Sequence, residues 1–160
     1  MRIIVFSDSH GQAGALAKII DAQPHAERYI FLGDGAADLR FLRRRYPCID
    51  LYAVRGNVDP NSNDPETAEM EICGKKILYT HGHKFHVKQG TELLYAHAVL
   101  HKADVVLFGH THTQHYHFEG GIHFLNPGAA VSGGICQFGI VDITETGIAC
   151  VAAQIDRDSQ

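Results

Sequence analysis

Hydrophobic residues along this chain fall into short runs that stop abruptly at side chains bearing nitrogen or oxygen lone pairs. Five such stretches are Ile4-Val5-Phe6-Ser7-Asp8-Ser9-His10, Phe31-Leu32-Gly33-Asp34, Val54-Arg55-Gly56-Asn57, Leu78-Tyr79-Thr80-His81 and Phe108-Gly109-His110-Thr111-His112. The unbroken β-branched and aromatic character of residues 2–7 predicts a strand buried on both faces. Residues 14–22 have helical spacing at Leu16, Ile19 and Ile20, with Pro24 beyond the end. Residues 28–32 predict a second strand. Residues 36–46 predict a helix with Leu39 and Leu42 on one face, Arg40, Arg43 and Arg44 largely outward, and Pro47 as the stop. Residues 49–54 predict a third strand, and this β-α-β-α-β order argues for a parallel sheet with right-handed crossovers.

The pattern then changes. Residues 59–65 form a turn-rich linker, and strands over 67–72 and 76–80 flank Cys73-Gly74-Lys75, a hairpin signal. A helix is expected over 91–102, with Thr91 as N-cap and Glu92 near the positive end of the dipole. A strand follows at 105–108. Two more hairpins are expected, 115–118 with 122–125 around Glu119-Gly120-Gly121, and 138–142 with 148–152 around Glu145-Thr146-Gly147. The second half therefore reads as mostly antiparallel. The expected class is α/β, two packed mixed β-sheets with helices outside, forming one domain over residues 1–160.

Composition narrows the function. At 160 residues the chain can bury one good core and is short for two. A formal charge of −4 gives no broad footprint for long nucleic acid. Cys48, Cys73, Cys136 and Cys150 are scattered without CxxC spacing, so reduced thiols in a cytoplasmic protein are expected. The first apolar run is too short for a signal peptide, and no run approaches the ~18 apolar residues of a membrane span.

The chemistry lies in the strand-end residues. Asp8, His10, Asp34, Asn57, His81, His110 and His112 offer carboxylate, amide and imidazole donors, the mixture that divalent ions such as Mn²⁺, Fe²⁺, Ni²⁺ and Zn²⁺ favour. Taken alone, Asp8, Asp34 and Asn57 are better explained as turn or capping residues and each histidine as a hydrogen-bonded surface or core residue; seven in register, each after an expected strand, are not. Seven donors exceed what one catalytic ion with open positions needs and suit two ions that share a carboxylate. Asp34 is the natural bridge. His97 and His101 are spaced i, i+4, but Ala98 stands where a zinc protease needs Glu. His25, His86, His115, His117 and His123 read as loop or solvated strand residues, so none of these seven histidines is taken as a ligand.

In order, Asp8-Ser9-His10, Gly33-Asp34, Gly56-Asn57, His81 and Gly109-His110-Thr111-His112 resemble the signature of the calcineurin-like metallophosphoesterases. Asn126-Pro127-Gly128-Ala129 resembles the N-P-G turn of that superfamily's small prokaryotic phosphodiesterase branch. The resemblance covers residues 3–131 and implies an α/β/β/α sandwich and a dinuclear, divalent-metal-dependent phosphodiesterase acting on small phosphodiesters. It implies one ion on Asp8, His10, Asp34 and His112 and another on Asp34, Asn57, His81 and His110, with Asp34, Asn57 and His81 carried over as catalytic. Mn²⁺ is the first expectation, with Ni²⁺, Fe²⁺, Zn²⁺ or Co²⁺ as alternatives. Such a pair lowers the pKa of a bridging water from ~15.7 towards neutrality, and the resulting hydroxide attacks phosphorus.

The match departs at one place. Many members carry a histidine after the G-N asparagine, read as the general acid; this chain has Val58. His83 is a weaker candidate for that role or for substrate contact. Arg55 either binds a phosphate oxygen or pairs with Asp59, and Asp59 is an outer partner expected to orient a ligand imidazole. With no long insertion to build a lid, a shallow site is expected. A phosphomonoesterase is the nearest alternative activity. The fold also resembles the scaffold subunit of retromer, which makes a metal-binding interaction module the rival from another class. A small phosphoester is the expected partner, and apolar area on the second sheet is compatible with a homodimer.

Overall fold

A computed structural model describes residues 1–157. Strand β1 (Arg2–Phe6) is buried at every position after Arg2, and its neighbours divide by parity. Ile4 and Phe6 pack with Leu16 and Ile19 of helix α1 (Ala13–Asp21) and with Leu39 and Leu42 of α2 (Ala36–Arg45). Ile3 and Val5 face the other way, against Ile77, Val105 and Leu107. A strand apolar on both faces needs a layer on each side, and it has one.

The first sheet also holds β2 (Arg28–Phe31), β3 (Leu51–Ala53), β9 (Ile135–Thr144) and β10 (Gly147–Asp156) in the order β10-β9-β1-β2-β3. β1, β2 and β3 are parallel, as expected, while β9 lies antiparallel beside β1 with Arg2 opposite Asp142. The second sheet contains β4 (Thr67–Ile72), β5 (Lys75–Thr80), β6 (Val105–Phe108), β7 (Gln114–Glu119) and β8 (Ile122–Pro127) in the order β4-β5-β6-β8-β7. Its outer face, with Leu78, Val106, Phe108 and Phe124, is covered by Leu94 and Ala98 of α3 (Glu92–His101). The layers are thus helix, sheet, sheet, helix.

Two local expectations change, and one feature was not anticipated. The second half is mostly antiparallel in its strand pairs and the second sheet is mixed, as expected, but β5, β6 and β8 run parallel through the centre of that sheet. Hairpin signals specify only strands adjacent in sequence, whereas α3 carries the chain across between β5 and β6, and β7 intervenes between β6 and β8. The β4–β5 turn contains only Cys73 and Gly74, both at positive φ (51° and 72°), and Lys75 joins the strand. That is the two-residue turn whose twist matches its strands. Thr91 occupies the N-cap position of α3, but its side chain makes no capping hydrogen bond. Among the described residues, no helix is long and apolar enough to cross a membrane.

Candidate metal centre

The five donor-bearing loops leave the carboxyl ends of β1, β2, β3, β5 and β6, which parallel pairing gathers on one edge of the sandwich. Backbone hydrogen bonds knit them together. Asp8 N donates to Gly33 O at 2.9 Å, His10 N to Asp34 O at 3.1 Å, and Gly109 N to His81 O at 3.0 Å. The two sheets are joined by His81, whose Nδ1 lies 2.8 Å from Leu32 O. A carbonyl only accepts, so Nδ1 carries the hydrogen and Nε2 presents its lone pair to the crevice.

Two donor groups result, each with ligand atoms within 4.8 Å of one another: Asp8, His10 and His112, and Asp34, His81 and His110. In the first, His112 Nε2 is 3.1 Å from Asp8 Oδ1 and 3.3 Å from His10 Nε2. In the second, His81 Nε2 is 3.4 Å from Asp34 Oδ2 and 3.1 Å from His110 Nδ1. Asn57 joins the second group, its Oδ1 3.2 Å from the same nitrogen. Asp8 Oδ1 lies 3.9 Å from His81 Nε2, so the groups adjoin. All seven expected donors are therefore brought together.

Two observations bear on what such a crevice fits. Asp8 Oδ1 is buried and has no hydrogen-bond partner, an uncommon condition for a buried carboxylate oxygen. Eight described non-glycine residues have positive φ, and five of them are Asp8, His10, Asp34, His110 and His112. Left-handed backbone at such residues costs on the order of 1 kcal/mol or more each, and it persists where surrounding structure imposes it. Carboxylate, amide and imidazole donors brought this close together fit divalent cations.

The supporting partners were mostly illegible in the sequence. Asp59, which is buried, reaches four backbone amides rather than an imidazole: Asp34 N at 2.7 Å, Gly35 N at 3.1 Å, Ala36 N at 2.9 Å and Gly56 N at 3.1 Å. It thereby caps α2, whose own N-cap Gly35 has no side chain to do so, and ties the Asn57 loop to the Asp34 loop. Gly56 sits so close that a Cβ there would overlap Asp34 Oδ1. Asp38 on α2 accepts from Ser9 Oγ (2.6 Å) and Gly11 N (2.8 Å), anchoring the first loop. Ser7 Oγ (2.5 Å) and His110 N (3.0 Å) donate to Asp8 Oδ2. Asn126 Nδ2 holds Gly109 O and Thr111 Oγ1, both at 3.0 Å, which gives the Asn-Pro-Gly turn its place. Asp38 carried one sequence signal, an acidic residue in the first turn of an expected helix.

Electrostatics follow from the crowding. Burial raises the Asp34 carboxyl, but hydrogen bonds from His81 and the Val58 amide outweigh it and hold its pKa low. Burial lowers His81, yet Asp34 and Asp8 together raise it above the ordinary histidine value. His110 is pushed down to about 4, by burial first and then by His81 and Lys88.

Of the weaker candidates, His83 lies beside the centre, its ring 5.4 Å from His81 and 6.2 Å from His110, with Nδ1 buried and unpartnered. Arg55 does not pair with Asp59; its guanidinium meets Glu66 at 3.2 Å, because Asp59 is already committed to backbone amides. The donor groups include none of the seven other histidines. His101 pairs with Glu69, and His117 stacks on Phe124.

A family profile described as the calcineurin-like phosphoesterase superfamily domain matches residues 1–146. The probable metallophosphoesterase YsnB of Bacillus subtilis is 32% identical over 131 residues, covering 81% of this chain and 75% of its own length. The phosphodiesterase YfcE of Escherichia coli K12 is 29% identical over 168 residues, covering 89% and 88%. The crystal structure of a Streptococcus pneumoniae protein, described as a predicted phosphoesterase, superposes with a TM-score of 0.80 at 28% identity, covering 98% of this chain and 90% of that one.

Proposed function

The chain belongs to the calcineurin-like phosphoesterase superfamily, and from that premise we propose that it is a phosphodiesterase dependent on two divalent metal ions and acts on small phosphodiesters. The observation that carries this reading is the convergence of seven donors in two adjoining groups, five of them on left-handed backbone, with a buried Asp8 oxygen that makes no hydrogen bond. One ion would be held by Asp8, His10 and His112, the other by Asn57, His81 and His110, with Asp34 shared. Bound divalent ions supply Lewis acidity at the phosphoryl group and acidify a water nucleophile.

The chain's own residues fix the geometry of that step. Asp59 and Asp38 set the positions of the Asp34 and Asp8–His10 loops before substrate arrives, so little reorganisation is left to the reaction. The Leu32 carbonyl holds the His81 tautomer that presents Nε2. With Val58 after Asn57, that loop supplies no imidazole of its own to protonate a leaving group, which favours esters whose leaving oxygen is a good anion. His83, beside His81 and His110, is the nearest proton carrier outside the donor set.

Metal analysis of the purified protein, combined with turnover of bis(4-nitrophenyl) phosphate in Mn²⁺ or Ni²⁺, tests the reading. Turnover that disappears in Asp34→Ala and His81→Ala, together with a stoichiometry near two, is expected. Stoichiometric metal binding without hydrolysis of any phosphoester would favour the interaction module. A strong preference for 4-nitrophenyl phosphate would favour a phosphomonoesterase.

A further inference from the structure

The segment after Val58, which the sequence presents as a linker, builds a wall beside the donors. Pro60, Asn61 and Ser62 face α2 across a cavity of about 300 Å³ that is also lined by His10 and Asp34. A second cavity of about 290 Å³ adjoins it, sharing Ala36, Arg40, Asn61 and Ser62. The first alone reaches the lower end of the range for small-molecule sites and is broadly open to solvent, in keeping with the shallow site expected from sequence, and the second extends it beyond the donors.

Among the charged residues lining this hollow, Arg40 stands apart. Asp34 belongs to a donor group, Asp38 holds Ser9 and Gly11, and Asp59 holds its four amides. In the second cavity Arg43 pairs with Asp64 at 3.4 Å, and Asp64 also accepts from Ser62 Oγ at 2.8 Å. Arg40 lines both cavities, is exposed, and makes no hydrogen bond or ion pair with any described residue. Val58, 54% exposed at the donor end, adds apolar contact for an organic group. A planar guanidinium without a partner, in a hollow that opens onto phosphoryl-binding chemistry, matches a phosphate through its paired donors.

We infer that the substrates are phosphodiesters carrying a second phosphate on one ester arm, that this arm lies in the paired hollow, and that Arg40 determines the specificity by binding that phosphate. The inference rests on the diesterase reading. An uncharged arm leaves Arg40 in water and gains nothing from it. Arg44, exposed on the same helix but lining neither cavity, provides a control for net charge.

The test compares thymidine 5′-(4-nitrophenyl phosphate) with its 3′-phosphorylated form, which share a leaving group and reacting phosphorus. With Mn²⁺, wild type and Arg44→Ala are expected to favour the 3′-phosphorylated substrate about tenfold in kcat/KM, equivalent to ~1.4 kcal/mol. In Arg40→Ala that ratio falls to near one. In EDTA, thymidine 3′,5′-bisphosphate should bind wild type at least fivefold more tightly than Arg40→Ala, a readout that needs no metal and no turnover. A wild-type ratio near one, or an unchanged ratio and affinity in Arg40→Ala, overturns the inference while leaving the diesterase intact if bis(4-nitrophenyl) phosphate is still hydrolysed. Failure to hydrolyse any diester with any divalent ion overturns both.

Discussion

Asp59→Ala is the substitution on which the architecture of this centre makes its firmest demand. The Asp59 carboxylate is the acceptor for four amides, and those of Asp34 and Gly56 lie in fully buried hydrogen bonds. A buried amide left without an acceptor costs ~1–3 kcal/mol, while the half-buried amides of Gly35 and Ala36 can recruit water and lose less. Removing the cap of α2 contributes on the order of 1 kcal/mol. These overlap, because two of the amides are the capped helix's own, and a total loss of about 3–5 kcal/mol is expected. Against a domain stability of ~5–15 kcal/mol this is a large fraction. The assay is urea unfolding in EDTA, so that metal binding does not contribute to the measured stability. Asp59→Asn keeps one acceptor oxygen but turns an NH₂ towards donors, and its loss should be intermediate. Should Asp59→Ala unfold within ~1 kcal/mol of wild type, the claim that this carboxylate joins the Asp34 and Asn57 loops would be wrong.

Further outcomes follow from single contacts. Gly56→Ala puts a methyl group onto Asp34 Oδ1, so metal affinity measured by competition with a chelating dye should fall at least tenfold, the lower end for disturbed ligand supports. Cys48 and Cys73 are exposed and should react rapidly with a disulfide reagent, whereas Cys136 is buried and Cys150 is pushed up to about 12, by burial first and then by Asp142. Two thiols should therefore label in the native state and four after unfolding. The hydrogen bond from Arg2 holds the Asp142 carboxyl below its ordinary value. Its stabilising contribution is complete above the unfolded value of ~3.9 and is lost as pH falls through the lower folded one; Asp142→Asn should flatten that acid limb of the urea midpoint, and an unchanged limb would remove the pair from the account.

Chain-local physics accounts for much of what was legible in the sequence. Continuous apolar runs at residues 3–6 and 105–108 have the composition of strands covered on both faces, and both are. Leu16, Ile19, Leu39 and Leu42 recur at helical spacing and do face the core. The donors could be named because a strand's direction fixes where its last residue points, and parallel pairing brings those ends to one edge. Local pattern has no means of encoding neighbours distant in sequence. It therefore left open that β9 lies beside β1, with Arg2 opposite Asp142, and that β5, β6 and β8 are parallel. For the same reason the sequence suggests an imidazole partner for Asp59 and a phosphate or Asp59 for Arg55, although the first holds four amides and the second meets Glu66. Periodicity fixes which face of an element is buried, because that depends on side-chain direction alone. Which polar group meets which depends on how all the layers stack, and only the folded chain decides it.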